Sequence, residues 1–184
     1  MTNSELDRLI ITKAVAKGYP IKTAQIITAQ ARLESADYSS NVFKLNNNLF
    51  GYKYVGQSLA FQGSQVPGSE LQTGPRYYAK YNSVEDSIKE LFNWIDRRIS
   101  GGQFYLNDLT SPVNYANAFG KSPYKFYGIS PANYASGLDA KLNKIDLTFN
   151  PSTGTTNQNS SIIIFVSLVA LYFIAKPYLS NTKA

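Results

Sequence analysis

Sixteen residues near the C-terminus, Asp146 to Ser161 (DLTFNPSTGTTNQNSS), decide how much of this chain can build a core. They carry no charge after Asp146 and are rich in Ser, Thr, Asn and Gly. Such a stretch has no apolar face to bury and reads as a flexible linker. Cooperative folding is therefore assigned to residues 1–146, enough chain for one well-cored domain. The linker is assigned to residues 147–161. Beyond it, Ile162 to Ala175 reads IIIFVSLVALYFIA, interrupted only by Ser167. As a helix that run is about 21 Å long; extending it from Ser160 to Leu179 gives about 30 Å, the thickness of a bilayer's hydrocarbon core. The segment is apolar all round, unlike a surface helix packed on a core, and Lys176 can snorkel to an interface. The expectation is a single transmembrane helix over 162–179 that inserts in a lipid bilayer. Lys176 and Lys183 follow the run while no positive charge closely precedes it, which places the tail in the cytoplasm and the domain on the non-cytoplasmic side. The opening MTNSELDRLI has no apolar core of the kind a signal peptide needs.

What is missing narrows the chemistry. The chain has neither Cys nor His. Disulfides, thiolate catalysis, Ser-His-Asp triads and the usual zinc and hydrolytic metal sites are thereby excluded. No metal and no cofactor is expected. Carboxylates are left as almost the only groups for proton transfer near neutral pH. Lys and Arg outnumber Asp and Glu by 18 to 12, but the positive residues are scattered and the longest basic run is Arg97-Arg98. Nucleic acid is recognised by a stripe or patch, so none is expected as a partner. A diffuse positive charge suits an anionic polymer or surface, such as a cell wall or lipid headgroups, as well as a generally basic soluble exterior.

The periodicity within 1–146 is mainly helical. Ser4 is placed to cap LDRLIITKAVAKG, with Leu6, Leu9, Ile10 and Ala14 as its apolar stripe and Gly18 and Pro20 as its stop. A second helix over Ile21 to Glu34 puts Ile27, Ala31 and Glu34 on one face. Glu34 then sits at the edge of the apolar stripe, where loss of water raises a carboxyl pKa toward the value a general acid needs. Ser83 caps VEDSIKELFNWIDRRI, whose core face is Ile88, Leu91, Phe92, Ile95 and Ile99. Leu59 to Pro75, with its Gly and Pro residues, reads as loops and short strands. The domain is thus mainly α with a small β or irregular lobe after the Glu34 helix. Its 14 Tyr and 10 Phe exceed what a small core requires and suit a sugar-binding cleft, although Phe92, Trp94 and Ile95 fall at core spacing.

The string AQARLESADYSSNVFKLNNNLFGYKY (residues 29–54) resembles the signature of bacterial and phage endo-β-N-acetylglucosaminidases, whose pattern runs AQ-x-x-LES-G, a Ser, then NNLFG-x-K. Arg76 to Ser83 is similar to that family's FRxYxS strand leading into a helix. Tyr127-Gly128-Ile129-Ser130-Pro131 with Tyr134 is similar to its YATDP-x-Y segment with one residue inserted. The resemblance covers Ala29 to Ile145. It implies a lysozyme-like α+β fold and cleavage of peptidoglycan glycan chains. By position it makes Glu34 the catalytic acid that protonates the departing glycosidic oxygen. It makes Glu70 the second carboxylate, with Asp37 as a rival, and Tyr127 the residue that holds substrate or polarises the N-acetyl group. Asn48, Phe50, Tyr124 and Tyr134 become candidate substrate-binding residues. The chain departs from the pattern at Ala36, where the family has Gly, and at Ser130, where it has Asp. Ala36 is a mild change unless that position needs a positive φ. The leading expectation is a membrane-anchored peptidoglycan glucosaminidase, of a phage particle beside other virion proteins or of a cell envelope. A lytic transglycosylase or muramidase on the same fold is the alternative, followed by a non-catalytic wall-binding or virion membrane protein.

Overall fold

A computed structural model of the chain describes residues 1–67, 75–120 and 129–151. The chain divides into compact units at Asn150/Pro151, and the first of these, Met1–Asn150, holds the elements that follow.

Six α-helices and one two-stranded sheet are described: α1 (Asn3–Ala16), α2 (Ile21–Glu34), α3 (Asn41–Asn46), β1 (Ala60–Gln65), β2 (Tyr77–Tyr81), α4 (Val84–Ser100), α5 (Pro112–Gly120) and α6 (Pro131–Leu142), with a 3-10 turn over Leu106–Leu109 before α5. A mainly helical body with a small antiparallel hairpin fits a lysozyme-like fold. Helix α1 starts earlier than expected. Thr2, not Ser4, is the cap: its hydroxyl accepts from Glu5 N at 3.2 Å, and Glu5 Oε2 accepts from Thr2 N at 2.6 Å. The T-x-x-E capping box satisfies two orphan amides at once, and a lone Ser does not. Ser83 caps α4 as its position predicts, accepting from Asp86 N at 3.1 Å.

Helix α2 is central. It packs on α1 on one side and on α6 on the other, and Ala24, Ile26, Ile27, Ala29 and Ala31 are all buried. Its sequence suggests one apolar face; in the fold even Thr28, Gln30 and Arg32 are buried, so its polar groups need partners inside the protein. Among the described residues, most aromatic side chains go to the core. Trp94 lies 4.7 Å from Phe119, which stacks on Tyr115 at 4.3 Å, and Tyr19 meets Phe92 edge-on at 5.2 Å. In the hairpin Ala60 pairs with Tyr81 and Gln65 with Tyr77, with a bulge between Gln62 and Gln65. Gly63 is required there, because a Cβ would lie 2.8 Å from the Tyr78 carbonyl oxygen.

One part of the expected fold is corrected. No helix among the described residues is long and apolar enough to cross a membrane. The longest, α4, has 17 residues and bears Glu85, Asp86, Arg97 and Arg98 at its ends, whereas a span needs about 20 mostly apolar residues. The 162–179 run on which the transmembrane expectation rested lies outside the described residues.

Candidate active site

The backbone turns abruptly behind Glu34, the last residue of α2. Ser35, fully buried, bonds the Ala31 carbonyl through its hydroxyl and accepts from Tyr38 N at 2.9 Å. Ala36, Asp37 and Tyr38 then adopt φ of 52°, 54° and 64° in succession. Left-handed backbone costs an L-residue roughly 1–2 kcal/mol, so the surroundings must enforce this turn. Ala36, where the resembling family carries Gly, is at a position that needs a positive φ.

The enforcement is ionic and buried. Arg32, on the last turn of α2, donates from Nε to Asp7 Oδ1 at 2.9 Å and from Nη2 to Asp7 Oδ2 at 2.6 Å. Asp7 Oδ1 also accepts from the Tyr38 hydroxyl at 2.7 Å, and the Arg32 guanidinium lies 5.3 Å over the Tyr38 ring. Arg32 Nη1 reaches Asp37 Oδ1 at 3.4 Å, while Asp37 Oδ2 accepts from Lys141 at 2.8 Å and Lys144 at 2.9 Å. Burial pushes the Asp37 carboxyl up, but the two lysines outweigh it and hold the pKa at about 2. Asp37 is therefore a permanently ionised tie to the end of α6. Its charge is balanced by Arg32, Lys141 and Lys144.

Glu34 itself is half-buried. Burial raises its carboxyl above the ordinary value, and a bond from the Tyr134 hydroxyl to Oε1 at 2.7 Å offsets only part of that rise. Tyr134 is 4% exposed, so its ring does not offer an open stacking face; its contact is with the acid. One turn before Glu34, Gln30 accepts from the Tyr115 hydroxyl at 2.6 Å through Oε1. Burial also pushes up the phenol of Tyr52, in the NNLFGY turn, with the Glu34 charge among the smaller contributors.

That turn is braced by three consecutive asparagines. Asn46 donates to Ser64 Oγ at 2.7 Å and accepts from Ser64 N at 2.9 Å, on β1. Asn47, left-handed at φ 52°, donates to the Tyr81 carbonyl at 3.0 Å. Asn48 donates to Tyr52 O at 2.8 Å and Ala79 O at 2.9 Å, and accepts from Tyr52 N at 3.1 Å. Asn48 is 1% exposed and Phe50 is packed in the main core. Both are candidate substrate contacts by the resemblance; in the fold Asn48 ties the turn to β2 and Phe50 packs in the core.

With the geometry in place, the comparisons decide the family. The model for glucosaminidases, described as mannosyl-glycoprotein endo-beta-N-acetylglucosaminidase, matches residues 11–147, more than half of the chain. The chain belongs to the glucosaminidase family. It is 28% identical over 143 residues to the exo-glucosaminidase LytG of Bacillus subtilis, covering 74% of this chain and 50% of that protein. It is 30% identical over 129 residues to an N-acetylmuramoyl-L-alanine amidase domain-containing protein of Staphylococcus aureus, covering 68% of this chain and 21% of that one. The chain thus spans from about a fifth to half of the length of these curated relatives. No solved structure matches it significantly.

Within the glucosaminidase domain, the structure brings together Glu34 and Tyr134. Glu70, Tyr124 and Tyr127 lie outside the described residues. Ser130, which replaces the family pattern's Asp, caps α6 by accepting from Asn133 N at 3.2 Å. Asp and Ser are interchangeable in that role. Sequence reasoning missed Gln30 and Tyr115. Gln30 carried a signal, since it stands four residues before Glu34 on the same helix face. Tyr115, 85 residues from its partner Gln30, carried none. Among the described residues there is no cluster of His, Cys, Asp or Glu able to hold a metal ion.

Proposed function

We propose that this glucosaminidase domain cleaves β-1,4 bonds next to N-acetylglucosamine in the glycan strands of peptidoglycan, with Glu34 as general acid. The observation that carries this reading is the state of Glu34. Burial lifts its pKa, while Tyr134 occupies Oε1 and leaves Oε2 to hold the proton. A carboxylic acid that burial makes weaker holds its proton to higher pH than a solvated one and can transfer it to the glycosidic oxygen as the bond to the leaving sugar breaks. Family membership and the likeness to LytG supply the substrate class. Peptidoglycan lies outside the cytoplasm, and the domain acts there.

A second reading keeps Glu34 and changes the acceptor. With the Asp37 charge balanced by Lys141 and Lys144, Glu70 remains the candidate to activate water. A lytic transglycosylase, in which the muramic acid 6-hydroxyl attacks, needs no such base. Mass spectrometry of digested cell wall separates the two. Reducing N-acetylglucosamine ends are expected, and anhydro-muramyl ends would overturn the hydrolase reading. Glu34→Gln should abolish product in either case; unchanged lysis would remove Glu34 from the chemistry.

A further inference from the structure

Helix α6 carries a glycine, Gly137, in its interior, where only proline is a poorer helix former. Space accounts for it. A Cβ on Gly137 would lie 3.1 Å from Leu33 Cδ2 and 3.3 Å from Leu33 Cδ1, inside the roughly 3.5–4.0 Å at which carbon atoms pack. Leu33 is the residue before Glu34 on α2, half-buried and packed against the main core. On α6, Tyr134, Gly137 and Lys141 follow one another at helical spacings of three and four, so they lie on one face. Each meets the end of α2 or the turn behind it. Tyr134 donates to Glu34 Oε1 at 2.7 Å, Gly137 lies against Leu33, and Lys141 donates to Asp37 Oδ2 at 2.8 Å. The outer two contacts are polar and directional. The middle one sets how closely the helices approach, and in a close-packed interior a change of one methyl is felt.

We infer that Gly137 is a positioning residue: its missing side chain lets α6 lie close enough on Leu33 for Tyr134 to reach the Glu34 carboxyl. A Cβ at this position moves the neighbouring atoms by a few tenths of an ångström. Phenol–carboxylate bonds are strong because they are short, about 2.5–2.7 Å, so a stretch of that size weakens this one. The catalytic part rests on Glu34 being the acid and extends that reading to a residue that touches no substrate; the packing part does not depend on it.

The test is the titration of the Glu34 side-chain carboxyl, followed by 13C NMR of the full chain labelled at glutamate and assigned by the signal lost in Glu34→Gln. The groups around it keep one state across that titration. Asp37, at about 2, and Arg32 are ion-paired, and burial holds the Tyr52, Tyr115 and Tyr134 phenols far above it. The Tyr134 bond lowers the Glu34 pKa, so weakening it raises the midpoint. Tyr134→Phe removes the bond and should raise the midpoint by about one pH unit. Gly137→Ala only stretches it and should raise the midpoint by about half a unit. With the carboxyl protonated in every variant, kcat for release of reducing ends from peptidoglycan should fall about threefold in Gly137→Ala, with KM little changed. Better helix propensity and crowding oppose each other in this variant, so its Tm should stay within about 3 °C of the parent. Leu33→Val takes away both δ carbons and should leave the midpoint in place. Leu33→Val/Gly137→Ala should return midpoint and kcat to the parent values, whereas a merely structural role makes the double variant worse than either single. Should crowding unfold Gly137→Ala, the double variant decides, because with room restored it must fold and titrate as the parent does. An unmoved midpoint in Gly137→Ala, or a double variant that stays displaced, overturns the inference. A displaced midpoint with kcat unchanged upholds the packing and overturns the acid reading, as full activity in Glu34→Gln would.

Discussion

Asp7→Asn should be among the most damaging single-atom changes away from Glu34. Asp7 and Arg32 are 4% and 6% exposed, so the pair is held without water. Each Asp7 oxygen is used: Oδ1 by Arg32 Nε and the Tyr38 hydroxyl, Oδ2 by Arg32 Nη2 at 2.6 Å and Nε at 3.2 Å. The substitution turns one oxygen into an NH2 facing a donor and removes the charge that offsets the buried guanidinium. The other anion within reach, Asp37 at 3.4 Å, is already shared with Lys141 and Lys144. Breaking a buried pair from one side costs about 3–5 kcal/mol, and a domain of this size loses about 2–4 °C per kcal/mol. The expected drop in Tm is therefore about 6–20 °C, read by circular dichroism at 222 nm. The left-handed turn behind Glu34 hangs from the same carboxylate, so activity should fall before global melting. The companion is Asp7→Leu/Arg32→Met, which removes both charges and should melt closer to the parent than Asp7→Asn does. A melting temperature for Asp7→Asn within about 2 °C of the parent would refute the reasoning. So would a double variant as unstable as the sum of its singles.

Three further outcomes follow from the same geometry. Glu34→Gln should be inactive yet more stable than the parent at neutral pH: the folded carboxyl pKa is raised above the ordinary value of 4.5 by burial, so ionisation destabilises the fold as pH rises through the folded pKa. The gain should vanish below about pH 4.5 in paired melting curves. Asp37→Asn should behave in the reverse sense. Its folded pKa of about 2 lies below the ordinary 3.8, so its contribution is present above about pH 3.8 and lost as pH falls through about 2; the gap between variant and parent should close over that window. Ala36→Gly should raise Tm by about 1–4 °C, because relief of the left-handed backbone at φ 52° outweighs the entropy glycine adds to the unfolded chain by about 0.5–1 kcal/mol. A lower Tm would show that Ala36 is not strained.

Much of the framework is local and was therefore readable in the chain. Helices α2 and α4 follow from apolar spacing and, for α4, from the Ser83 cap. Strand β1 falls in the Gly- and Pro-punctuated stretch 59–75, while β2 lies just beyond it. The start of α1 was misread by two residues because two capping signals overlap, and only the reciprocal Thr2–Glu5 pair satisfies both amides. Glu34 itself stood out because a chain without His or Cys has few other groups that move protons. The sequence could not say which of the nearby polar residues work on the acid and which hold the fold. Asn48 and Phe50 look like substrate contacts in a motif; the fold ties Asn48 to β2 and packs Phe50 in the core. Asp37 looks like a partner carboxylate; Lys141 and Lys144, more than 100 residues away, balance its charge. Tyr134 and Tyr115 reach α2 from helices 100 and 85 residues distant. Spacing along a chain reports which face of one helix a residue takes. Ionisation and proton direction depend on what other helices bring within 3 Å of it, and that is decided only when α5 and α6 close over α2.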